Sequence, residues 1–131
     1  MFKKLLRGLG YDLRHRRWTP THLAGLVNAR TVIDVGVGFG TWELYRAFPK
    51  ARFLLVEPLC DYEEHLERIA AQYRCDIVYK ALGANEQECE IHVDPSILTR
   101  SSLHARTKLT DTGSSLETRR IEMTTLDSLS E

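Results

Sequence analysis

No stretch of this chain approaches the ~20 consecutive apolar residues that a membrane-spanning helix requires, and no apolar leader precedes a secretory cleavage site. Neither sign of charge dominates: 18 Lys and Arg stand against 18 Asp and Glu. That balance gives no bulk electrostatic reason to expect nucleic acid as a partner. The three cysteines, Cys60, Cys75 and Cys89, are odd in number and widely spaced. With no CxxC pair and no histidine at ligand spacing, they read as reduced thiols of a cytoplasmic protein rather than as a disulfide framework or metal site. No Ser–His–Asp arrangement can be argued either. At 131 residues the chain suffices for one core and one domain at most.

The dinucleotide fingerprint GxGxxG is also missing, because Thr41 stands where its last glycine would fall. What is present is Val32-Ile33-Asp34-Val35-Gly36-Val37-Gly38-Phe39-Gly40-Thr41-Trp42. It begins as a short β-branched apolar run, expected to be a strand buried on both faces. It then passes through Gly36, Gly38 and Gly40 into a helical pattern. Glycine permits positive φ and lets backbone lie against a ligand, and the helix start adds unpaired N–H groups. Asp34, two residues before the first glycine, would repel a pyrophosphate. It suits a ligand with an ammonium beside a carboxylate, such as the amino-acid head of S-adenosyl-L-methionine. A second acid, Glu57, ends the next apolar run, residues 52–56, where a carboxylate can accept hydrogen bonds from both ribose hydroxyls.

With these residues the sequence resembles class I S-adenosylmethionine-dependent methyltransferases, and within them the FkbM family. Further matches are Ala81-Leu82-Gly83, Ser101-Ser102-Leu103 and Thr125-Leu126-Asp127-Ser128-Leu129, so that the likeness covers roughly residues 28–131. The resemblance implies O-methylation of a hydroxyl on a small metabolite or sugar. It also implies cofactor contacts at Asp34, Gly36, Gly38, Gly40 and Glu57. Two other readings stay open: a non-catalytic cofactor-binding or scaffold module left by truncation, and a dinucleotide-binding oxidoreductase domain.

The order of elements predicts an α/β fold, a Rossmann-like half sheet with parallel strands in order 3-2-1, an antiparallel β extension and preceding N-terminal helices. Residues 1–30 read as an N-terminal helical segment and 31–131 as the cofactor domain, incomplete at its C-terminus. In the first segment Lys3, Lys4, Arg7, Arg14, Arg16 and Arg17 face only Asp12, with Phe2, Leu5, Leu6, Leu9 and Leu13 at helical spacing. A weak contact with an anionic membrane surface, a lid over the cofactor and a solvated basic face are the readings of that stretch. Thr19-Pro20-Thr21 starts a helix expected to run to 28 or 29, with Leu23, Leu26 and Val27 inward.

Leu44, Tyr45 and Phe48 give the first crossover helix its apolar face, stopped by Pro49. The next helix, about 59–73, has Leu59, Tyr62, Leu66, Ile69 and Tyr73 on one side. Residues 76–81 read as the third strand; 88–93 and 118–123 alternate polar and apolar, as two half-exposed antiparallel strands do. The long segment between them, 94–116, reads as a mobile or substrate-gating loop. Family members continue with a fourth parallel strand beside the first, so the first strand is expected to have an open edge, that of a truncated methyltransferase or one covered by a partner or a second copy. For a base, His92, His104 and Asp127 are candidates, with His15, His22 and His65 behind them; none is singled out.

Overall fold

The computed structural model describes residues 19–95, 98, 101, 103 and 116–129. The basic N-terminal stretch with His15, the residues Ser102 and His104, and most of the 94–116 segment lie outside the described residues.

Short apolar runs joined by helices form the first sheet. Strand β1 (Thr31–Val35) leads through the glycine turn into α2 (Trp42–Ala47), which follows a short α1 (Pro20–Ala24). Strand β2 (Arg52–Val56) is followed by a 3-10 turn, Cys60–Tyr62, and then by α3 (Glu63–Ala70) and β3 (Cys75–Val78). The three strands are parallel in the order β1-β2-β3, as expected. In register, Val32 lies beside Phe53 and Phe53 beside Cys75; one step on, Asp34 lies beside Leu55 and Leu55 beside Ile77. Side chains alternate across a strand, so these rows share one face. Tyr45, Leu66 and Ile69 pack onto it with Phe53 and Leu55, and Tyr73 closes an edge-on aromatic stack over Phe53.

Both crossover helices therefore cover the same face, as successive right-handed crossovers require. This corrects the expectation that β1 is buried on both sides: on its other face Ile33 is 39% and Val35 53% exposed. Among the described residues β1 pairs with β2 alone. The first helix is also shorter than its pattern predicts. Thr19 Oγ1 caps it by accepting the His22 N–H at 3.3 Å, and Gly25 ends it by donating to carbonyls of the same turn. Leu26 and Val27 fall outside the helix, and Leu23, Leu26 and Val27 are all exposed and not inward, Leu26 at 69%.

A second sheet has the order β4-β6-β5. Its antiparallel pair, β5 (Gln87–Val93) and β6 (Glu117–Thr124), matches the alternating segments. The strand expected over 76–81 is divided: it leaves the first sheet at Val78, and β4 (Ala81–Leu82) pairs in parallel with β6 instead. Ile91 and Val93, on the inner face of β5, join the core built on the first sheet. Residues 125–129 follow β6 as a turn, in which Thr125 Oγ1 accepts the Ser128 N–H at 3.1 Å. No described helix is long and apolar enough to cross a membrane.

Candidate functional site

The turn after β1 is the most constrained backbone in the described chain. Gly36, Gly38 and Gly40 all have positive φ, of 70°, 51° and 96°. At Gly40 the requirement is doubled, since a Cβ there would also come within 2.9 Å of Ile69 Cδ1. At Gly36 a Cβ would meet nothing within 4 Å, so the backbone faces open space.

That space is a cavity of ≈ 290 Å³ at the carboxyl ends of β1 and β2. Gly36, Val37, Gly38 and Phe39 form one wall, Glu57, Pro58, Leu59 and Tyr62 a second. Ile91 of β5, with Leu98 and Ser101 beyond it, closes the third. The walls are thus supplied by three separate parts of the chain. Phe39 stands edge-on to Tyr62 at 5.1 Å and to His65 at 4.9 Å between ring centroids, bracing the tip of the turn against α3.

Glu57 clamps the two main walls together. Only 4% exposed, it accepts the Gly38 N–H at Oε2 (3.0 Å) and the Leu59 N–H at Oε1 (3.1 Å). A carboxylate has about four lone-pair sites, so each oxygen retains capacity for another donor. Burial raises the Glu57 pKa, the Gly38 and Leu59 N–H groups pull it down, and Asp61 raises it again. Burial likewise raises the Tyr62 phenol, followed by the charges of Glu57 and Asp61.

Asp34 is placed differently. Its row on β1 faces the helices, so its carboxylate points under the turn and not across the cavity mouth. Oδ2 accepts from the buried Tyr45 hydroxyl at 2.5 Å, and Oδ1 from Thr41 Oγ1 at 3.3 Å. The Tyr45 hydroxyl in turn accepts the Thr41 N–H at 3.0 Å. Burial and then the bond to Asp34 push the Tyr45 pKa well above its ordinary value.

Of the residues singled out from sequence, Gly36, Gly38 and Glu57 thus line one cavity, while Asp34 and Gly40 stand behind its wall. Tyr45, Tyr62, Phe39 and Ile91 were not foreseen as site residues. Tyr45 and Tyr62 had declared themselves only as apolar positions on helices, and the spacing of Tyr45 four residues after Thr41 was the available signal. His92 lies away from the cavity, its Nδ1 3.3 Å from Thr118 Oγ1. Asp127 sits in the turn after β6, also outside the lining, and among the described residues no histidine lines the cavity. No group of three potential metal ligands occurs among the described residues, and Cys60, Cys75 and Cys89 are free thiols. No family model, curated protein or solved structure matches this chain.

Proposed function

We propose that this chain is a Rossmann-like S-adenosylmethionine-binding domain serving O-methylation of a hydroxyl on a small metabolite or sugar. The observation that carries the reading is the pairing of open backbone at Gly36 with the buried carboxylate of Glu57, the residue that follows the neighbouring parallel strand, both in one cavity. Both features suit an adenosine-containing ligand. Backbone without Cβ allows close approach beside β1, and a carboxylate at the end of β2 can accept from two ribose hydroxyls. Leu59, Ile91 and Leu98 supply apolar surface for a base. Asp34, one layer below, adds a negative charge that opposes a phosphate at this turn and favours an ammonium.

When bound, the donor would supply an electrophilic methyl group. The chain's own residues hold it: Glu57 fixes the ribose, the Gly36–Gly38 backbone admits the amino-acid head, and the apolar wall excludes water from the base. The FkbM resemblance is what extends the reading from donor binding to a hydroxyl acceptor.

Isothermal titration with S-adenosylhomocysteine tests it. Glu57→Ala is expected to weaken binding by ~1.5–3 kcal/mol, the scale of hydrogen bonds to a charged group. An unchanged affinity would remove Glu57 as the ribose acceptor. Competition by a nicotinamide dinucleotide with no binding of S-adenosylhomocysteine would replace the methyl donor with the oxidoreductase reading.

A further inference from the structure

The hydrogen bonds under the glycine turn form a closed triangle that neither lines the cavity nor is needed to build the sheet. Thr41 donates its N–H to the Tyr45 hydroxyl and its own hydroxyl to Asp34, and Tyr45 donates to Asp34 across the base. Thr41 is the N-cap residue of α2, yet its side chain makes no cap bond to that helix. The hydroxyl that would ordinarily cap is turned back to the strand instead. The three corners are the penultimate residue of β1, the N-cap residue of α2 and the helix residue Tyr45 beneath the turn. Together they fix both ends of the segment whose backbone forms one cavity wall.

We propose that Tyr45 is a positioning residue of this site, acting through Asp34 and Thr41 to hold the Gly36–Gly40 backbone in its ligand-facing form. Asp34 then serves the site chiefly as the anchor of the turn and not by touching the ligand. This rests on the S-adenosylmethionine reading only for the choice of probe. The physical basis is that a buried carboxylate with both oxygens engaged has a fixed orientation. Removing the phenol leaves the Thr41 N–H without its acceptor and Asp34 Oδ2 without its donor. Three glycines in a row of alternating positions give the turn little stiffness of its own, so its geometry depends on what grips its ends.

The test uses Tyr45→Phe, which keeps the ring packing against Trp42, Phe53 and Tyr73, together with Asp34→Asn and the double variant. Two probes are titrated: S-adenosylhomocysteine, and 5′-methylthioadenosine, which lacks the amino-acid head. Amide hydrogen exchange is read at Gly38, Gly40 and Thr41 against β2. Tyr45→Phe is expected to weaken both probes to a similar degree, about tenfold. The turn amides should exchange about tenfold faster while the β2 amides do not change. The double variant should be little worse than either single one, because the three groups act as a unit. Wild-type affinity for both probes with unchanged turn exchange would overturn the proposal, even if the melting temperature fell. Loss of affinity for S-adenosylhomocysteine alone in Tyr45→Phe would also overturn it, since that variant keeps the Asp34 charge and a displaced turn would weaken both probes. Should the wild-type chain bind neither probe, the methyl-donor reading fails, and the exchange rates still decide the role of Tyr45.

Discussion

The two sheets of this protein are built from different kinds of residue and held by different forces: β2 carries Phe53, Leu54, Leu55 and Val56 in succession, whereas β6 carries Glu117, Arg119, Arg120 and Glu122. In the first, Phe53, Leu55 and Val56 are fully buried in a central strand, and helices cover one side. In the second, β6 alternates exposed and half-buried residues along most of its length. Its surface pairs are ionic: Lys80 with Glu122 at 2.9 Å, and Arg119 with Glu117 at 3.0 Å and Asp61 at 2.5 Å. The first sheet is a hydrophobic core with a polar turn at its end; the second is a half-exposed wall leaning on that core through Ile91 and Val93. The cavity lies where they meet. Rigid geometry comes from the first sheet and one closing surface from the second.

The sharpest way to break this contrast is to remove a large side chain from each sheet. Phe53→Ala should cost about 3–5 kcal/mol in chemical denaturation, and the half-buried Ile121→Ala less than about half of that. Equal losses would mean that the second sheet is as much a core as the first. Next comes the turn itself. Gly40→Ala combines a φ of 96° with a Cβ against Ile69 and should cost about 1–3 kcal/mol, visible as a lower denaturation midpoint.

A smaller effect separates the clamp from the core beneath it. Burial holds the Glu57 pKa above its usual range, so the folded chain holds that proton more tightly than the unfolded one. Its contribution to stability is therefore fullest below the ordinary glutamate pKa of ~4.3. It is lost as pH rises through the raised folded value. Glu57→Gln should lack that downward step in a plot of melting temperature against pH, and a variant with the same slope as the wild type would place Glu57 in a solvated setting. The least effect is expected at the surface link between the sheets. Arg119→Ala should cost under about 1 kcal/mol and less still at high salt, because its partners are partly solvated.

Much of the framework was legible from local pattern. The runs at 32–35 and 52–56 declare strands by their length and apolar content, and the helical faces around Tyr45 and Leu66 and the alternating segments near 90 and 120 declare their elements by period. The glycines and Glu57 declared a cradle because positive φ and an acid at a strand end are chemically unusual. Gly36, Gly38 and Glu57 do share one cavity. The third wall was not legible, since Ile91 reaches the site only when β5 folds back over the first sheet. The overlong first helix shows the limit of periodicity. Leu23, Leu26 and Val27 have helical spacing, but Gly25 ends the helix before the last two belong to it.

Sequence alone settled the order of the elements and the parallel order of the first three strands. Short apolar runs separated by amphipathic helices connect in parallel, overwhelmingly through right-handed crossovers, and two such steps in the same direction put the strands side by side in chain order. Only the tertiary structure decided which face of β1 stays open, that the chain leaves the first sheet after Val78 and joins the second at 81–82, and how Arg119 comes to meet Asp61, 58 positions away. It also decided that the Asp34 carboxylate turns beneath the glycine turn toward Tyr45. Period and propensity act over a few residues. The partner of a buried polar group is chosen by whatever the completed packing brings within hydrogen-bond distance, and no local pattern contains that information.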